Sequence, residues 1–107
     1  MTSAPTPALA DLIEAWRQAT TDLVVLARSL SPDQAQLPSD LEGWTVHDVL
    51  AHCAHLEAIL AGAPEETIDI GSPAHVKNLM GAYTEQGVVA RREHSLADLC
   101  LEIESSS

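Results

Sequence analysis

The chain has 107 residues, with 5 Lys and Arg against 16 Asp and Glu, a formal charge of −11 with histidine neutral. Length sets a ceiling of one domain, and 46% hydrophobic residues argue against wholesale disorder. A pI near 4.5 and the lack of any Lys/Arg-rich run exclude a phosphate-backbone partner, so no nucleic acid is expected. No apolar stretch reaches the about 18 residues needed to span a bilayer, and Met1 to Ala10 has neither the basic nor the apolar region of a secretory signal. Two cysteines, Cys53 and Cys100, make no disulfide framework, and a reducing cytoplasm is the simplest compartment.

The chain is rich in Ala and Leu, lacks Phe, and has one Tyr and two Trp, a composition that favours helices over sheets. The first helix is expected to open at Thr6-Pro7, a hydroxyl cap followed by proline, and to run to about Ser29. Leu9, Leu12, Ile13, Trp16, Leu23, Leu26 and Leu30 mark its apolar face. Ser31-Pro32-Asp33 ends it and can start a short helical turn. After a loop over Leu37 to Trp44, Thr45 to Asp48 reads as a capping box, T-x-x-D. The second helix then covers about Val46 to Ala61 and stops at Gly62-Ala63-Pro64. Its stripe is Val46, Val49, Leu50, Cys53, Leu56 and Leu60.

An acidic loop, Glu65 to Gly71, leads to Ser72-Pro73, and a third helix is expected over about Pro73 to Arg92. Gly81 and Gly87 each weaken it by about 1 kcal/mol relative to Ala, and signal either close packing or a bend. Ser95 to Asp98 repeats the cap pattern, and Leu96, Leu99, Cys100 and Ile103 follow at i, i+3, i+4, i+7 in a short fourth helix.

Histidine is the residue type that carries chemistry here: His47, His52, His55, His75 and His94. His52 falls at the edge of the second helix's apolar face, where a neutral imidazole can point a nitrogen into the core as a metal ligand or serve as a partly buried structural residue. His55 is its i+3 neighbour and can share an ion with it. Asp48 is better explained as a cap than as a ligand. His47 reads as a surface residue, and His75 and His94 as polar helix ends. Cys53 and Cys100 fall on apolar stripes and read as small buried hydrophobes rather than reactive thiols. The acidic residues other than Asp48 read as a solvated surface. Trp44 is expected to pack as a lid or staple on the second helix. No Ser/His/Asp elbow, phosphate loop or calcium loop occurs.

The stretch Gly43-Trp44-Thr45-Val46-His47-Asp48-Val49-Leu50-Ala51-His52 resembles the G-W-[ST]-V-x-D-V-x-A-H signature of the mycothiol-dependent maleylpyruvate isomerase family, within the DinB-like superfamily. Leu56-Glu57, Pro73-Ala74-His75-Val76, Glu85-Gln86-Gly87-Val88 and Arg91-Arg92 also resemble actinobacterial members, so the similarity runs from about Leu9 to Ile103. The resemblance implies an all-α, up-down helical bundle with thiol-dependent isomerase or transferase chemistry, mycothiol as the thiol, and one divalent metal, zinc being the expected ion. By the same resemblance His52 takes the position of a metal ligand. The family's other ligands, an acidic residue and a histidine four positions later, come from a later helix, and Ala90 stands four before His94. The expectation is therefore a single domain over 1–107 forming the N-terminal part of the family fold, with three long helices and a short fourth. Such a part needs a missing helical partner or a homo-oligomer. The alternative is a non-catalytic helical module acting by protein–protein association.

Overall fold

The structure is a computed structural model that describes residues 8–64 and 67–106. Among the described residues it is an all-α helical bundle of five helices: α1 Leu9–Ser29, α2 Pro32–Ala35, α3 Val46–Leu60, α4 Leu79–Ala90 and α5 Leu96–Ser106. No described helix is long and apolar enough to cross a membrane. The cap expected at Thr6-Pro7 and the acids Glu65 and Glu66 lie outside the described residues.

Local chemistry sets most of the helix ends. At α3 both halves of the capping box form: Asp48 N–H donates to Thr45 Oγ1 at 3.2 Å, and Thr45 N–H donates to Asp48 Oδ2 at 3.0 Å. The same reciprocal pair caps the start of α2, between Ser31 and Gln34. Helix α3 ends in a Schellman motif, in which Gly62 takes φ +96° and Ala63 N–H donates to the Ala58 carbonyl at 2.9 Å. Ser95 caps α5 by accepting from Asp98 N–H at 3.1 Å.

The helix expected from Pro73 starts six residues later. A turn at Ala74 and His75, closed by Val76 N–H donating to the Pro73 carbonyl at 3.1 Å, stands in its place, and Asn78, not Ser72, is the cap, its Oδ1 accepting from Gly81 N–H at 2.7 Å. Ser-Pro is a start signal only where the chain can go on into a helix. Here His75 is drawn into a tertiary contact, described below, that fixes the turn first.

Helix α5 is the centre of the core. Leu99 and Ile103 are wholly buried and meet Val24 and Ala27 of α1 together with Leu50, Ala51 and Ala54 of α3. Alanines on α3 leave room for close approach, and burying one leucine contributes about 2 kcal/mol. Helices α1 and α3 each pack on α5, and α4 packs on α3. The radius of gyration, 15.6 Å, exceeds the about 13 Å of a compact chain of this length.

Gly87 is where α4 meets α3. A Cβ there would overlap the His55 ring, so the glycine serves close packing and does not mark a bend. Gly81 has no such neighbour, since a Cβ would stand 3.3 Å from the Asn78 side chain and 3.8 Å from Val76. Gly87→Ala is therefore expected to lose about 1–2 kcal/mol despite alanine's better helix propensity. Gly81→Ala is expected to lose less than Gly87→Ala, because alanine's helix propensity offsets the crowding of the Asn78 cap oxygen, both read from urea midpoints.

Candidate functional site

The short loop before α3 places Trp44. Ser39 N–H donates to the Trp44 carbonyl at 3.1 Å and Val46 N–H to the Leu37 carbonyl at 2.9 Å, closing the loop across its base. Gly43 takes φ +82°, a left-handed conformation that glycine adopts freely, and the His75 ring lies against it where a Cβ would stand. From this turn the Trp44 indole reaches in two directions. Its ring tilts against His52 at a centroid distance of 5.2 Å, and its Nε1–H donates to Glu85 Oε2 at 2.9 Å.

Glu85, in the middle of α4, is 1% exposed. Its carboxylate is fully engaged: besides Trp44, it accepts from Arg92 at 3.2 Å, and His75 Nε2 stands 3.1 Å from both oxygens. An ionised carboxylate only accepts, so His75 carries its proton on Nε2. Arg92 also approaches Asp48 Oδ1 at 3.5 Å, which brings the α3 cap to the edge of the same network. A cleft of about 240 Å³ opens beside Trp44, His75, Glu85 and Thr84.

This arrangement corrects three expectations. Glu85 is not part of a solvated surface. His75 is not a loose polar end but is half-buried against Glu85. His47 is not a surface residue: it is buried, and its Nε2–H donates to the His94 carbonyl at 2.6 Å, tying α3 to the turn before α5. Arg91 is buried and paired with Glu102 at 2.8 Å, with a further bond to the Gly87 carbonyl. The signal that could have flagged Glu85 is its position between Tyr83 and Gly87-Val88-Val89, a run with no other acid.

His52 lies half-buried on α3, as its spacing predicts. Its Nδ1 is screened from solvent and has no hydrogen-bond partner, so a buried polar atom is left uncommitted. Burial, and then the neighbouring His55, push its pKa below the ordinary value, which keeps the ring neutral at pH 7. A neutral ring retains a lone pair for a metal. His55 is buried one turn on, with Tyr83 at a centroid distance of 5.4 Å. Among the described residues, however, no group of three or more His, Cys, Asp and Glu side chains is arranged to hold a metal. Asp48 is committed to its cap, as expected. The residues present therefore offer one nitrogen donor and not a complete ligand set.

Both thiols are free, and burial raises the pKa of each, with Glu57 adding to the effect at Cys53 and Arg28 opposing it at Cys100. They suit the role of small hydrophobes better than that of nucleophiles.

The lowered His52 value has a measurable consequence. The unfolded chain takes up this proton near the ordinary value of 6.5, the folded chain only at lower pH. Stability is full above that window, falls as pH drops from 6.5 through the folded value, and levels off below it. Urea unfolding of chelator-treated protein from about pH 8 to about pH 5 should show a smaller loss in His52→Gln than in wild type.

Comparison with known proteins adds one positive finding. The family description "mycothiol maleylpyruvate isomerase N-terminal domain" matches residues 4–106, nearly the whole chain. No curated protein and no solved structure matches the chain significantly. With the match covering so much of the sequence, and an all-helical bundle to go with it, the chain belongs to the mycothiol maleylpyruvate isomerase N-terminal domain family.

Proposed function

We propose that residues 1–107 act as one DinB-like helical domain in which His52 donates one nitrogen to a divalent metal, zinc being the ion expected. The observation that carries this reading is the half-buried, neutral imidazole of His52 with its uncommitted Nδ1, standing at the end of the family's signature stretch. Family membership supports it further. The remaining ligands come from another chain or from a second copy. A bound divalent metal would supply Lewis acidity for thiol-dependent isomerase or transferase chemistry, with mycothiol as the thiol.

The chain's own residues have definite parts in this reading. Trp44 shields one side of the His52 ring and fixes its orientation. His55 disfavours a proton on His52 and so keeps its lone pair available. Glu85 holds Trp44 in place. Two free thiols fit a reducing compartment such as the cytoplasm.

A second reading, a non-catalytic helical module acting by association, is favoured by one observation: the described residues do not complete a metal site. Catalytic zinc sites take three protein ligands, which a single histidine does not supply.

Metal analysis of the purified chain, run together with its solution mass, separates the two. The first reading expects about one zinc per assembly, lost in His52→Ala and kept in His94→Ala, whose side chain is exposed. Equal metal in wild type and His52→Ala, with both folded by circular dichroism, overturns the ligand assignment and leaves the second reading.

A further inference from the structure

A different surface, along the apolar rows of α1 and α3, carries an inference of its own. On α1, Leu9, Leu12, Trp16, Leu23 and Leu26 fall at steps of three, four, seven and three, the spacing of a heptad seam. On α3, Val46, Val49, Cys53, Leu56 and Leu60 fall at steps of three, four, three and four. The two seams face one groove. One hollow of about 200 Å³ lies between Trp16, Leu23, Cys53 and Leu56, with Ile103 of α5 as part of its lining. A second, of about 190 Å³, lies next to it between Leu23, Leu26, Val46 and Val49, with Leu23 lining both.

Helix α5 packs on both α1 and α3 but does not cover this groove. Leu26 is 58% exposed, Leu56 39% and Leu60 77%, a row of leucines facing water. Isolated exposed leucines need no explanation, but a row at heptad spacing on two neighbouring helices does. Two parallel seams of this kind are shaped to take the apolar stripe of a third helix.

Charge decides which helix fits. The chain carries 16 acids and 5 Lys and Arg, and Arg28, Arg91 and Arg92 are already paired with acids of the chain itself. A second copy would bring −11 against −11. Asp22, exposed and one turn before Leu26, sits on the flank of the α1 seam. Within the groove, Glu57 accepts from Trp16 Nε1–H at 2.9 Å through Oε1, while its Oε2 is screened from water and has no hydrogen-bond donor. A buried carboxylate oxygen without a donor is costly, and a cationic side chain from an occupant relieves it. We infer that the groove between α1 and α3 docks an amphipathic helix whose apolar heptad stripe is flanked by Lys or Arg.

The test uses three synthetic helical peptides and the intact chain. One peptide has a leucine heptad stripe with lysine flanks, one the same stripe with glutamate flanks, and one the lysine composition with its stripe scrambled. Fluorescence anisotropy should show saturable one-to-one binding of the first, weakening with added salt, and at least about tenfold weaker binding of the other two. Leu26→Gln and Leu56→Gln should each weaken it about tenfold, the loss expected for one apolar side chain. Leu101→Gln, on an exposed face of α5 outside the groove, should leave it unchanged. Glu57→Gln, which keeps an acceptor for Trp16, should narrow the preference for lysine flanks. The inference is overturned by absent binding, by equal binding of the scrambled or glutamate peptide, or by an equal effect of Leu101→Gln. It is also overturned if light scattering shows a dimer that Leu26→Gln converts to monomer, since the occupant is then a second copy.

Discussion

A single buried carboxylate holds the histidine-bearing end of this molecule together. Glu85 belongs to α4, yet its oxygens are occupied by Trp44 from the loop before α3, His75 from the loop before α4, and Arg92 just beyond the helix. A charge so enclosed is tolerated only when every acceptor position is filled, because removing it from water costs several kcal/mol. Three segments far apart in sequence must therefore arrive together for any of them to be stable there. Arg92 is substantially exposed, so solvent screens its share, and Trp44 and His75 hold the more protected contacts.

That network determines what surrounds His52. Trp44 is the link: one end of the indole is bonded to Glu85 and the ring face lies against the imidazole. The position of His52 along α3 follows from the capping box at Thr45 and Asp48, which fixes where the helix begins and so which way each later residue points. The cap sets the rotation of the ring about the helix axis, and the Glu85 network sets its cover. Gly87, pressed on His55, brings α4 close enough for both to work.

The seam of α3 beside His52 follows another logic. There the apolar rows of α1 and α3 are regular, but α5 packs on Val24, Ala27, Leu50, Ala51 and Ala54 instead, and the leucines remain open to water. One helix thus has two working faces. One buries histidines beneath an aromatic lid and a polar network. The other presents a row of aliphatic side chains interrupted by one carboxylate, Glu57, whose second oxygen lacks a donor.

The sequence by itself determined the elements whose causes are local. Thr45 with Asp48, Gly62 before Ala63-Pro64, Ser31 with Gln34, and Ser95 with Asp98 set helix ends through contacts a few residues long, and these stand where the pattern puts them. The apolar steps of α5 likewise revealed the face that carries Leu99 and Ile103, but those of α1 and α3 did not: the core takes Val24, Ala27, Leu50, Ala51 and Ala54, whereas Leu9, Leu12, Leu26, Leu56 and Leu60 of the expected faces stay exposed. The inward placement of His52 was legible for the same reason, as a matter of helical angle. What only tertiary structure decided was the fate of polar residues whose partners lie far along the chain. Glu85 looks like any surface glutamate until Trp44 and Arg92 surround it, and His47 like a solvated one until the His94 carbonyl reaches it. The start of α4 was lost to sequence reading on the same ground, since the pull of Glu85 on His75 outweighs a Ser-Pro start signal. Local signals encode angles and ends, whereas the burial of a charge depends on which distant donors the fold brings within about 3 Å.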